Sequence, residues 1–337
     1  MLLAKIKFGA RLSRVITIQS QETARGTVLT GVTREGTRPY QRYAKLAPMA
    51  ELKWSHVRDS ALECERLGYH SVVLPYHLRM EGGPRYESWT LLSALAAITK
   101  RVKLHHLVIC NGFFHAPWLA KAVATLDHVS EGRFMLGIGA GYAKEEFSAY
   151  GYPFPSPSIR IDQLDEALVV MKKMWTEERP VFKGKYYSIN DPRALPKPIQ
   201  KPYPSIILGG SGPKIVRLAG KHADIMNFEI GDPAIIRSKL EILEKASTEA
   251  GRNYRKIGKS WGSYLFIRRT EKELKEKDEA LSQVPRNSIL VGTPDKVIDA
   301  IQRYVDVGIT YFTFRFEDLP DMKGLQVFAE DVIPAFK

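Results

Sequence analysis

Two periodicities alternate along the chain. Short, nearly continuous apolar runs are each followed by a longer stretch whose apolar positions recur every three or four residues. The runs "AKIKFGA" (4–10), "HSVVLP" (70–75), "KLHHLVI" (103–109) and "GRFMLGIG" (132–139) predict strands, as do "SIILG" (205–209), "ADIMNF" (223–228), "KSWGSYLFI" (259–267) and "ITYFTFRF" (309–316). The three-to-four spacing predicts helices over 53–67, 88–98, 117–128, 159–175, 213–221, 233–249, 294–307 and about 323–335. Proline near the start of several of these stretches suits a helix first turn, where its missing N–H costs nothing.

Eight strands, each followed by a helix, require parallel pairing and right-handed crossovers. That count over 337 residues predicts a single α/β domain, a closed (β/α)8 TIM barrel with insertions, spanning 1–337. Three stretches exceed the repeat. Residues 11–52 form an atypical basic insertion in which "RVITIQSQETARGTVLTGV" (14–32) alternates like a hairpin. A lid, a dimer arm and a substrate selector are all compatible with that segment. Residues 176–204 are a second insertion, and 268–292, rich in Lys and Glu, reads as a solvated one.

Charge narrows the function classes. The formal net charge is +13, but residues 1–60 carry 11 Lys or Arg against 4 Asp or Glu, and the rest is mixed in sign. No zinc-finger, basic-zipper or RNP-like pattern accompanies it, so no nucleic-acid partner is expected. A basic surface equally suits acidic small molecules. Mean hydropathy of −0.22 and the absence of a run of about 18 apolar residues predict a soluble protein with no membrane span. Lysines at positions 5 and 7 come too early for a secretory leader. Cys64 and Cys110 lie inside apolar patterns, so no structural disulfide and a cytoplasmic location are expected. Metal-ligand spacing is absent, and His105 and His106, adjacent on a strand, face opposite ways.

The C-terminal strand ends are where this fold places its chemistry. His77, Asn111, Gly139 to Tyr142 and Gly209 to Gly212 all follow such ends. "GGSGPK" (209–214) has neither the P-loop spacing nor the third glycine of a dinucleotide fingerprint, because position 215 is Ile215. It reads either as a plain turn or as amides exposed at a helix start that attract an anion. A side chain at Gly212 is expected to crowd such a ligand or to oppose a positive φ.

The runs "LAKAVATLDHVSEGRFMLGIGAGY" (119–142), "YGYPF" (150–154), an arginine-led helix from Arg160, "PKPIQKPYPSIILGGSGPK" (196–214) and "RLAGKHADIMNF" (217–228) together resemble the bacterial-luciferase-like superfamily. The resemblance is dense over residues 52–228 and loose in the last quarter. It implies a barrel that holds a flavin-type ring at the strand ends, and a homodimer acting on a small-molecule substrate. "GGSGPK" with "ADIMN" is most similar to the branches using the deazaflavin coenzyme F-420 (F420), with FMN as the alternative cofactor. The implied activity is hydride transfer between the deazaflavin and a small organic substrate. The alternatives are an FMN-dependent monooxygenase and a flavin-binding barrel without turnover.

By the same resemblance, Gly209, Gly210, Ser211 and Gly212 cradle the cofactor phosphate, while Gly141, Tyr142 and Asn111 contact the cofactor. His77 is the catalytic candidate, as an acid or charge stabiliser, or else an ordinary rim histidine. "PYHL" (75–78) puts Tyr76 where relatives carry aspartate, and Tyr142 stands where some carry an acid. Asn111 marks either the bulge on which relatives rest the ring, some with an unusual cis peptide, or simple strand termination. Glu145 and Glu146 are expected to cap the next helix rather than reach inward.

Overall fold

Each of the eight apolar runs forms a strand, and every strand pairs in parallel with its sequence neighbours: β1 (Lys7–Arg11), β2 (Ser71–Leu74), β3 (Lys103–His106), β4 (Phe134–Gly139), β5 (Ile206–Gly209), β6 (Ile225–Phe228), β7 (Gly258–Ile267) and β8 (Tyr311–Phe316). Pairing of β8 with β1, Phe312 opposite Phe8, closes the barrel. This computed structural model describes residues 6–12, 53–79, 86–229, 231–276 and 289–337.

A helix follows each strand: α1 (Trp54–Arg66), α2 (Ser88–Ile98), α3 (Ala116–Val129), α4 (Pro157–Thr176), α5 (Pro213–His222), α6 (Pro233–Glu249), α7 (Pro294–Val305) and α8 (Lys323–Val327). Proline occupies the first turn of α3 through α7. Ser156 and Asp232 complete two of these starts by accepting from the amides of Ile159 and Ile235. The strands bury both faces, which is why β2 and β4 read as unbroken apolar runs.

The barrel interior is layered. At its base His105 Nε2 lies 2.7 Å from the Tyr311 hydroxyl, which also meets Ser71 Oγ. Above it Val73, Leu107, Met135 and Ile207 form an apolar plug. His106 turns outward as expected, bonding the Ser88 carbonyl at 3.0 Å and stacking on Trp89. Burial pulls the two imidazoles down to about 3 (His105) and about 4 (His106), so both are neutral packing groups at neutral pH. Among the described residues no cluster of metal-ligating side chains exists.

The insertions sit around this barrel. Residues 13–52, and with them the expected hairpin, lie outside the described residues. Residues 176–204 contain a small antiparallel hairpin, Val181–Lys183 with Ser188–Asn190. The 268–292 segment departs from its solvated reading, although its residues 277–288 also lie outside the described ones. Ile289–Gly292 is a strand paired with the upper half of β7, because Ile289 buries itself against Phe266 and Leu274.

At the mouth the chain after β3 crosses close over β4. The Cβ of any residue at position 137 would fall on the backbone carbonyl of His106, well inside contact distance. Gly137→Ala should therefore destabilise the protein by about 4 kcal/mol or more, or prevent folding, since backbone must move to admit it. Urea unfolding of that variant tests the close approach; a loss below about 1 kcal/mol would contradict it.

Candidate active site

The described residues at the C-terminal end of the barrel enclose a cavity of about 310 Å³. Its floor is the chain after β3. A non-proline cis peptide joins Leu107 to Val108, three residues earlier than the bulge the sequence placed at Asn111. The Val108 side chain lies across the ends of β4 and β5. A Cβ at Gly139 would come within 2.9 Å of it, and one at Gly209 likewise. Glycine at these two inward positions is what leaves the floor flat.

On one rim stands His77, three residues past β2. Its Nδ1 lies 3.2 Å from Glu146 Oε2. The other oxygen of Glu146 accepts the backbone N–H groups of Arg79, at 2.9 Å, and of Leu78. Glu146 is only 4% exposed and lines the cavity, so the capping role expected for it is overturned. Helix Lys144–Ala149 has one turn and a half, and its second acidic residue faces inward while Glu145 faces solvent. Against a carboxylate, which only accepts, a neutral imidazole carries its proton on Nδ1 and keeps its lone pair on Nε2. Glu146 thus supplies a fixed acceptor for the His77 ring. Tyr76, which stands where the resemblance expected an aspartate, packs on the rings of His106 and Phe114. Tyr142 presents its ring edge-on to His77, with 5.9 Å between centroids, and lines the cavity beside Gly141.

The second rim is the start of α5. Gly209, Gly210, Ser211 and Gly212 all line the cavity. Gly210, with φ of +152° and Ile215 pressed against its Cβ position, is the residue whose backbone demands glycine. Gly212 is not: its φ is −76°, ordinary extended backbone, which corrects the positive φ expected there. A Cβ at Gly212 meets nothing within 4 Å, so a side chain there would stand in open space at the cavity edge. No side chain caps α5, and its first-turn amides have no partner inside the helix.

Sequence reasoning gave no role to Arg160. It lies in the first turn of α4, lines the same cavity and is 7% exposed. One guanidinium nitrogen donates to the Pro155 carbonyl, and the group lies 3.9 Å over the Phe154 ring. Its Nε has no partner among the described residues, and no described carboxylate pairs with it. Burial pulls it below the usual arginine value. Lys214 Nζ reaches Ser158 Oγ at 2.7 Å and ties the starts of α4 and α5 together.

Asn111 is not brought into the cavity wall. Past Cys110 the chain enters a 3-10 turn, Asn111–Phe113, that rotates the Asn111 side chain toward the hairpin segment. There its Nδ2 donates to the Tyr187 hydroxyl at 3.2 Å. The third wall was also missed: Asn227, Glu229, Tyr264 and Arg315 line the cavity from the ends of β6, β7 and β8. They occupy alternate, inward positions of those strands, a signal readable in the sequence once strand parity is fixed.

A family model described as "Luciferase-like monooxygenase" matches residues 28–285. An F420-dependent glucose-6-phosphate dehydrogenase of Microbacterium testaceum is 27% identical over 332 residues, covering 88% of this chain and 97% of that protein. Among solved structures, an F420-dependent secondary alcohol dehydrogenase in complex with an F420-acetone adduct superposes with a TM-score of 0.76 at 22% identity, over 85% of this chain and 96% of that one. A long-chain alkane monooxygenase gives 0.78 at 18% identity, over 99% and 91%. At such identities the structural likenesses speak for the fold alone.

Glu146→Gln keeps an oxygen for the Leu78 and Arg79 amides but can set an N–H against Nδ1. The His77 tautomer should then change, with the proton moving to Nε2. Nitrogen-15 chemical shifts of the ring read this directly, and an unchanged Nδ1–H form would show that Glu146 does not orient the imidazole.

Proposed function

The chain belongs to the luciferase-like monooxygenase family, and on that premise we propose that it is an oxidoreductase working with coenzyme F-420 on a small-molecule alcohol or carbonyl substrate, as a cytoplasmic homodimer. The observation that carries the cofactor part is Arg160, a buried guanidinium beside an uncapped helix start, with no described carboxylate to balance it. An uncompensated buried charge costs on the order of 3–5 kcal/mol, which a phosphate seated between Arg160 and the α5 amides would offset. The glycine floor fits a flat ring as well. Relatives named for F420 dependence support the deazaflavin over FMN.

When bound, the deazaflavin supplies a hydride acceptor or donor. The chain's own residues do the rest. Nε2 of His77 takes the hydroxyl proton as an alcohol carbon becomes a carbonyl, and returns it in the reverse direction. Glu146 holds that nitrogen toward the cavity and stabilises the charge that develops on the ring. Tyr142 stands beside the imidazole with its ring nearly perpendicular to it.

Fluorescence titration of the protein with F420 and with FMN tests the cofactor. F420 should bind more tightly; tighter FMN binding with oxygen consumption by reduced FMN would assign the monooxygenase reading instead.

Arg160→Met should weaken F420 binding about 10- to 100-fold and leave a phosphate-free deazaflavin fragment unaffected. Thermal stability without cofactor should hold or rise, because a buried unpaired charge is removed. Lower stability with unchanged F420 affinity would make Arg160 a packing residue. Gly212→Val should behave like Arg160→Met in binding, since its side chain meets open space rather than protein.

His77→Ala should lower kcat by about 10²-fold or more at little cost to cofactor affinity. An unchanged kcat would remove His77 from the chemistry.

A further inference from the structure

Away from the cavity, four ionisable side chains meet where α4 packs against the C-terminal end of α5. Asp165 and Lys172 stand two turns apart on α4, and Lys221 and His222 are the last two residues of α5. His222 is buried, and its Nε2 lies 2.7 Å from Asp165 Oδ1. Its Nδ1 faces Lys172 Nζ at 3.4 Å, and the same Nζ donates to the His222 carbonyl at 3.0 Å. Lys221 Nζ meets Asp165 at 2.9 Å, so one carboxylate serves both a cation and an imidazole.

The order of groups is a nucleophile, a base and a carboxylate that orients the base. The hydrogen bond from His222, aided by Lys221, holds Asp165 down to about 2, so it remains a carboxylate. Burial keeps His222 below its ordinary value, and a neutral imidazole beside a carboxylate carries its proton on Nε2. Nδ1 then turns its lone pair toward Lys172. Around that amine stand Lys221, Arg252, Asp224 and Asp165, with the Tyr203 ring centroid 5.3 Å from Nζ. Burial, aided by Arg252 and Lys221 and opposed by the two aspartates, pushes Lys172 down to about 8. A neutral amine spends one N–H on the His222 carbonyl and one on Nδ1, which leaves the nitrogen lone pair unused. The side chain keeps part of its surface in solvent.

We propose that Lys172 is a modification site, an amine acylated on Nζ by activated donors of the acyl-phosphate class, with His222 as the base and Asp165 as its orienting partner. Nζ attacks the acyl carbon, the bond from that carbon to the phosphate oxygen breaks, and phosphate leaves with the electron pair. The proton released from nitrogen passes to Nδ1 of His222 and on to solvent, and an amide remains. Lys221 and Arg252 favour the approach of an anionic donor. The product replaces a cation at the C-terminal end of α5 by a neutral group, about 15 Å along that helix from the cavity edge. Nothing in this chemistry depends on which cofactor the cavity holds.

The full chain is incubated with acetyl phosphate near neutral pH, and the acetylation rate at each lysine is read by peptide mass spectrometry. Lys121, exposed on α3, is the internal reference. Lys172 should react at least about 10-fold faster than Lys121 in the folded protein, because more of it is neutral, and no faster in urea. Its rate should level off above about pH 8, where the amine is already neutral, while that of Lys121 goes on rising. His222→Gln and Asp165→Asn are compared with wild type at about pH 9, where Lys172 is neutral in all three proteins. Each should lower the Lys172 rate about 10-fold or more and leave Lys121 unchanged. A Lys172 no faster than Lys121 overturns the proposal, as does a rate that climbs with that of Lys121 past the plateau, or one that both variants leave unchanged. Should His222→Gln fail to fold, Asp165→Asn decides alone, since its side chain is partly exposed.

Discussion

Everything at the barrel mouth depends on one close approach: the chain leaving β3 lies directly against β4 and β5. His106 and Val108 take up space that side chains at positions 137, 139 and 209 would need. Glycine at those inward positions is a packing requirement before it is a functional one. Its consequence is a floor of backbone and one valine, above the apolar plug of Val73, Leu107, Met135 and Ile207. A flat floor suits a planar ring, and it drives all polar chemistry to the rim.

The rim is divided by charge. On the β2–β4 side, Glu146 holds His77 and two loop amides at once, so imidazole and loop are fixed by the same carboxylate. On the α4–α5 side, Arg160 and an uncapped helix start carry positive potential with no described carboxylate against it. On the β6–β8 side, Arg11 pairs with Glu229 at 3.3 Å, and the Arg315 guanidinium lies over the Tyr264 ring. Groups of this kind cost folding energy in an empty cavity and are retained when a ligand meets them.

The repeat of strands and helices was legible because it is local: each apolar run and each proline-led helix start is written in adjacent residues. The Gly209–Gly212 turn was legible for the same reason; of the two constraints expected at Gly212, ligand crowding or a positive φ, the positive φ belongs to Gly210 instead. What failed depended on tertiary geometry. Glu146 reaches a loop 67–69 residues earlier in the chain, and nothing in "KEEF" distinguishes that from capping its own short helix. The bulge that resemblance set at Asn111 lies three residues earlier, at the cis peptide between Leu107 and Val108. Arg160 was visible as a mark of the family without a role, because burial and the lack of a counter-ion cannot be read from one position. Asn227, Tyr264 and Arg315 were legible in principle, since inward residues alternate along strands whose register the barrel fixes.

The central claim is that one cavity, at the C-terminal ends of the strands, holds the deazaflavin between the glycine floor and the α4–α5 rim. Hydrogen exchange of backbone amides with and without F420 tests it most directly. The account predicts new protection concentrated in residues 107–112, 139–146 and 209–216, with the outer face of α6 unchanged. Protection confined to other segments, or none at 209–216 while the cofactor is bound, would contradict it.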